Sequence, residues 1–320
     1  MPQDDAGNDR TIPEPPHPRR RHAPLPGCGA EPAAADPAAS ARVEAIVASP
    51  AYREACADPD FLASDATRGE RLDLDYLKAE LLLREHGVTD AVVVFGSTRL
   101  VEPKSAAARC AAAQCELAAA PDDPELRLAA ARAARVVEKS RYYEVARRFG
   151  ALVGAAPTTP AGGRLAVVTG GGPGMMEAAN RGAFEAGGVS VGLNITLPHE
   201  QFPNAYLTPD LALRFHYFAL RKMHFLMRAR ALVAFPGGYG TMDELFEVLT
   251  LAQTRKIEPL PIVLVGEAYW RRVFDVDFLV DEGVIDPEDR DLFWFAETAE
   301  QIWGDILSWT EKAGKPLIER

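Results

Sequence analysis

The spacing of apolar residues changes twice along the chain. Residues 1 to about 40 are rich in proline, charge and small side chains, with only Ile12 and Leu25 large and apolar. Such a segment cannot bury enough surface to offset its conformational entropy, and it reads as a disordered tail. Over residues 41–88 the apolar positions Val43, Ile46 and Val47, then Leu74, Leu77, Leu81 and Leu82, recur at helical spacing around a polar break from Asp58 to Arg71. That pattern predicts a helical extension.

From Asp90 the texture becomes short, continuous β-branched runs alternating with helical patterns. The runs are Ala91 to Phe95, Leu165 to Thr169, Ser190 to Ile195, Ala231 to Phe235 and Ile262 to Val265, with a weaker sixth around Leu292 to Phe295. Strands with no polar alternation are buried on both faces, so residues 89–320 are expected to form an α/β domain: a doubly wound, Rossmann-like parallel sheet. An Ala-rich insertion from Ser105 to Gly150 predicts two helices broken at Pro121 to Pro124. In such a sheet, ligands bind at the carboxyl ends of the strands.

Charge narrows the partners. Lys and Arg total 35 against 46 for Asp and Glu, a formal net charge of −11. That surface repels a polyphosphate backbone, so nucleic acid is not expected as a partner, while a local basic pocket for a small anion remains open. Cys28, Cys56, Cys110 and Cys115 form no CxxC pair, and the six histidines show no ligand spacing, so no metal is expected. No apolar run is long enough for a membrane span. The triplet Arg19-Arg20-Arg21 is not followed by the apolar stretch of an export signal, and a cytoplasmic location is expected.

Three of the strands run into glycine turns that open a helix. These are Gly96-Ser97-Thr98-Arg99, Gly170-Gly171-Gly172-Pro173-Gly174-Met175-Met176-Glu177, and Pro236-Gly237-Gly238-Tyr239-Gly240-Thr241-Met242-Asp243-Glu244. Glycine lets backbone approach a ligand closely, and unpaired N–H groups at a helix start favour a phosphate. One such loop can be a plain strand-to-helix turn. Three on the same sheet edge point to a nucleotide-sized anion. No Gly-Lys-Ser/Thr follows any of them, so a single phosphate fits better than a triphosphate with magnesium. Candidate contacts from the first two loops are Gly96, Ser97, Gly171, Gly172, Gly174, Met175 and Glu177.

The second loop continued through Ala178-Ala179-Asn180, the pair Arg221-Lys222, and the run from Pro236 to Glu244 together resemble the Lonely Guy family. Its members are phosphoribohydrolases that release a free base, such as adenine or a cytokinin, from a nucleoside 5′-monophosphate. The resemblance covers roughly residues 90 to 310, and Leu197 to Tyr206 resembles the family's substrate-side loop. Family members are often labelled lysine decarboxylase, although no pyridoxal phosphate motif is visible here and no cofactor is expected. The N-terminal extension and the Ala-rich insertion depart from compact members.

The resemblance implies that Glu244 and Arg221 are the catalytic pair and that Gly237, Gly238, Gly240 and Thr241 hold the 5′-phosphate. It also implies a homodimer or larger homo-oligomer. Lys222 is a second candidate cation for phosphate or substrate. Thr241-Met242-Asp243-Glu244 is also a T-x-x-E capping box, in which Glu244 would return to the Thr241 backbone. For Arg221, nine helical steps to Arg230 descend about 13 Å and the next strand climbs back about 16 Å, which sets Arg221 near the height of the third glycine loop. The expected activity is hydrolysis of AMP, or an N6-substituted AMP, to base and ribose 5-phosphate. The competing class is a non-catalytic carrier or sensor of a phosphorylated cofactor such as a molybdenum cofactor.

Overall fold

The computed structural model describes residues 13–21, 23, 36–198 and 202–319. The expected disordered tail therefore lies largely outside the described residues. The chain forms two compact units, residues 1–68 and 69–320. In the first, helices α1 (Ala39–Ala48) and α2 (Pro59–Ala63) are joined by short 3-10 turns. Asp58 caps α2, its carboxylate accepting from the backbone N–H groups of Asp60 and Phe61, the usual remedy for unpaired N–H groups at a helix start.

All but the first residue of α3 (Arg68–Glu85), the last helix of the expected extension, belongs to the second unit. It then alternates β1 (Asp90–Phe95), α4 (Pro103–Ala119), α5 (Pro124–Lys139), α6 (Arg141–Gly154), β2 (Leu165–Thr169), α7 (Met175–Glu185), β3 (Val189–Ile195), β4 (Ala212–Phe215), α8 (Phe218–Met227) and β5 (Ala229–Ala234). After these come α9 (Tyr239–Gln253), β6 (Ile262–Val265), α10 (Glu267–Val273), α11 (Val276–Asp281), β7 (Trp294–Ala296) and α12 (Ala299–Lys312).

The strands form one sheet in the order β4-β3-β2-β1-β5-β6-β7, every neighbouring pair parallel. This is the doubly wound α/β class. The sequence order runs outward in both directions from the β1/β5 pair, which is therefore the switch point where helices on opposite faces diverge and leave a crevice. Alternate side chains of β1, β2, β5 and β6 enter separate cores. Val93 and Phe95 join α3 and α8 residues such as Leu83 and Phe225 on one face, and Val92 and Val94 join Tyr143, Phe149 and Met175 on the other. Each large side chain buried in this way contributes about 1.5–3 kcal/mol.

Three expectations need correction. The Ala-rich insertion holds three helices rather than two, because the chain breaks again at Ser140 between α5 and α6. The strand β4 was not expected at all. The helix carrying Arg221 ends at Met227 and the following strand begins at Ala229, so the assumed helical descent to Arg230 is too long.

Candidate active site

The three glycine turns meet at the carboxyl edge of the sheet and are tied through Ser97. The Ser97 N–H donates to the Pro236 carbonyl at 3.0 Å, and the Ser97 carbonyl accepts from the Met175 N–H at 3.1 Å. Gly174, at φ 76°, lies where a Cβ would overlap the Ser97 carbonyl. At Gly237 a Cβ would overlap the Thr241 side chain, and the Gly237 carbonyl accepts a short hydrogen bond from the Tyr269 hydroxyl. These glycines serve close backbone packing. Gly238 and Gly240 differ: a Cβ at either meets open space.

A cavity of about 550 Å³ opens at this edge. Its lining includes Gly96, Ser97, Gly238, Gly240 and Thr241 from the first and third turns, with Arg221 and Glu244. Met176, Leu197, Phe218 and Phe225 supply an apolar side. Helix α9 starts on the cavity at Gly238 with no side-chain cap and no acidic residue in its first turn. Its leading N–H groups and positive dipole end are thus available to an anion.

Glu244 is 5% exposed and accepts a hydrogen bond from Arg221 Nη2 at 3.2 Å. The pair crosses between α8 and α9. Thr241 sits inside α9 rather than at its cap, so the capping-box alternative does not form. Burial raises the Glu244 carboxyl to about 7, against the opposing pull of the Arg221 and Lys222 charges. Burial likewise pulls the Arg221 guanidinium down, against Glu244. The guanidinium lies over the rings of Phe218, at 4.8 Å, and Phe225, at 5.6 Å. Its Nε is buried without a hydrogen-bond partner, an arrangement that costs free energy unless something else occupies it.

The remaining candidates fall outside the cavity lining. Lys222 pairs with Asp243 at 2.7 Å and Glu247 at 3.3 Å on an adjoining open surface. Burial pulls its ammonium down, but the Asp243 hydrogen bond and the surrounding acidic charges outweigh this and raise it. Met175 is fully buried in the core, and Glu177 accepts from the Tyr143 hydroxyl at 2.9 Å. Gly171 and Gly172 hold Asn204 instead, which donates its N–H to the Gly171 carbonyl at 2.8 Å and its Nδ2 to the Gly172 carbonyl at 3.1 Å. Of the loop from Leu197 to Tyr206, His199, Glu200 and Gln201 lie outside the described residues.

The sequence reading missed the apolar side of the cavity. Met176 follows Met175, and only the helix rotation decides which of the two faces the cavity. Phe218 precedes Arg221 by three residues, a spacing that stacks both on one helix face and was readable as a signal. No group of three or more His, Cys, Asp or Glu suited to a metal occurs among the described residues, and no described helix is long and apolar enough to cross a membrane.

The fold and cavity define an α/β protein in which a buried carboxylate–guanidinium pair shares one cavity with the uncapped start of a helix. A family model described as possible lysine decarboxylase matches residues 176–306, the segment that carries Arg221 and Glu244. The chain is 32% identical over 139 residues to a probable cytokinin riboside 5′-monophosphate phosphoribohydrolase of Oryza sativa subsp. japonica, covering 42% of this chain and 55% of the relative. It is 32% identical over 143 residues to a cytokinin riboside 5′-monophosphate phosphoribohydrolase of Arabidopsis thaliana, covering 43% and 61%. The alignments thus span little more than half of these relatives' length. Over that segment the likeness to the Lonely Guy family is borne out. Among solved structures, TM1055 shares 23% identity over 68% of this chain and 99% of its own, with a TM-score of 0.40. The molybdenum cofactor carrier protein of Chlamydomonas reinhardtii shares 17% over 71% and 99%, with a TM-score of 0.38.

Proposed function

We propose that the chain hydrolyses the N-glycosidic bond of a purine nucleoside 5′-monophosphate, AMP or an N6-substituted AMP such as a cytokinin nucleotide, to free base and ribose 5-phosphate. The observation that carries this reading is the Arg221–Glu244 pair, 3.2 Å apart, set beside the uncapped start of α9 in one cavity. A phosphate carrier has no use for a buried carboxylate next to an anion, whereas bond cleavage does.

As the bond to the base breaks, the ribose gains positive charge and the base negative charge. A carboxylate beside the sugar stabilises the first, and a cation or proton donor beside the base the second. In this proposal the N–H groups of Gly238 to Thr241 hold the 5′-phosphate, which fixes the sugar relative to Glu244. Glu244, poised near neutral pH, binds the ribose hydroxyls or positions the attacking water. Arg221, with its unpartnered Nε, offsets negative charge on the substrate or the departing base. Met176, Leu197 and Phe218 offer an apolar surface for a planar base. As in the resemblance, the working form would be a homodimer or larger homo-oligomer.

Incubation with AMP and chromatography of the products tests the reading: free adenine and ribose 5-phosphate should appear in equal amounts. Intact AMP after prolonged incubation would contradict it.

A further inference from the structure

Helix α8 carries Arg221 but supplies no cap of its own. Its N-cap is Tyr217, whose side chain makes no capping hydrogen bond, and its first turn holds no acidic residue. The cap comes from another helix. Asp75 on α3 accepts from the His216 N–H at 3.2 and 3.1 Å through its two oxygens, and from the Tyr217 N–H at 3.0 Å. The Tyr217 carbonyl in turn accepts the Arg221 N–H at 3.2 Å. A single residue, Tyr217, therefore links Asp75 to the backbone of Arg221.

The grip extends along α8. Arg71 Nε donates to the Tyr217 hydroxyl at 3.3 Å, and the Tyr76 ring lies 5.2 Å from that of His224. Glu80 pairs with Arg228 just past the helix end at 2.9 Å. Of these ties, the Asp75 carboxylate acts directly on the turn that carries Arg221, with a negative charge at the positive end of the helix dipole.

We propose that Asp75 is a positioning residue for the active site: by capping α8 from the extension helix α3, it holds Arg221 within hydrogen-bond reach of Glu244. The inference rests on the reading of that pair as the acting groups. It gives the last helix of the N-terminal extension a task in the site without any contact to substrate. Small displacements matter here, because charge stabilisation depends on groups fixed before reaction.

The test reads the Glu244 carboxyl itself, by NMR titration of protein labelled with 13C at glutamate, and so needs no turnover. Glu244 faces Arg221 and Lys222 from α8 and Asp243 and Glu247 from its own helix. Asp75→Ala should let Arg221 drift, weaken the opposing positive charge and move the Glu244 midpoint upward by at least about 0.5 pH unit. The kcat for AMP should fall roughly tenfold with KM changed less than about threefold. Asp75→Asn keeps one acceptor oxygen and should give a smaller shift in the same direction, and it serves alone if the alanine variant does not fold. Leu83→Ala, which opens the core under α3, should lower Tm while leaving the midpoint in place. An unchanged Glu244 midpoint in every folded Asp75 variant would overturn the proposal. If wild-type protein releases no base from AMP, the proposed function fails, and the titration still decides the role of Asp75.

Discussion

Arg221 and Glu244 are 23 residues apart and sit on different helices, yet Nη2 of one lies 3.2 Å from Oε1 of the other. The strand β5 between them makes this possible: α8 descends to the strand's start, and α9 leaves from its end at the switch point of the sheet. The pair is buried, so its protonation is sensitive to every nearby charge.

Replacing Glu244 by Gln should leave the fold intact and lower kcat by at least about 10²-fold, the scale of a positioned acid, base or electrostatic group. Steady-state kinetics with AMP checks this. Activity within a few-fold of wild type would return the residue to a structural role.

The same substitution has a pH signature in stability. The Glu244 carboxyl is raised from 4.5 to about 7 in the folded protein, so between those values the folded state holds a proton that the unfolded state has released. Stability therefore falls as pH rises through this window, by on the order of 3 kcal/mol at its upper end. Glu244→Gln removes the buried charge and should be more stable than wild type at pH 8. The gain should shrink as pH falls and vanish below about 4.5. Thermal melts at pH 8 and pH 4.5 measure the difference.

The parallel sheet was legible because its strands are apolar runs: six of the seven were expected from that pattern, and β1, β2, β5 and β6 run on into glycine turns. β4 was not expected: Ala212-Leu213-Arg214-Phe215 alternates exposed and buried residues at the sheet edge, and four such residues are too few to stand out. The break at Ser140 is silent for a different reason, since neither proline nor glycine marks it. Within the site, Arg221, Glu244 and the third glycine turn were readable from local sequence and resemblance. Met175 and Glu177 were not placed correctly as cavity residues, because a glycine turn announces a close approach of backbone without saying which neighbouring side chains turn inward.

The two kinds of glycine in the third turn should part company on substitution. Gly240→Ala places a methyl group in open space within the first turn of α9, where alanine is the better helix former by about 1 kcal/mol. Tm should hold or rise while KM for AMP increases, since the methyl obstructs the phosphate. Gly237→Ala would strike the Thr241 side chain and should lower Tm by several degrees. Parallel melts and kinetics separate them.

The pH dependence of turnover follows from the same carboxyl. If ionised Glu244 is the working form, kcat/KM should rise about tenfold per pH unit below 7 and level off above it. Arg221→Met removes the opposing charge, so the midpoint should move upward. A downward shift in that variant would mean that Arg221 does not act on Glu244.

A comparison of kcat/KM for AMP and adenosine isolates what the 5′-phosphate contributes at the third glycine turn. Two or three charge-assisted hydrogen bonds from the start of α9, at about 1.5–3 kcal/mol each, amount to roughly 3–9 kcal/mol. Adenosine should therefore be at least about 10²-fold poorer, with the loss divided between kcat and KM because the phosphate also orients the sugar. A penalty for adenosine below about tenfold would contradict a phosphate site at the third glycine turn.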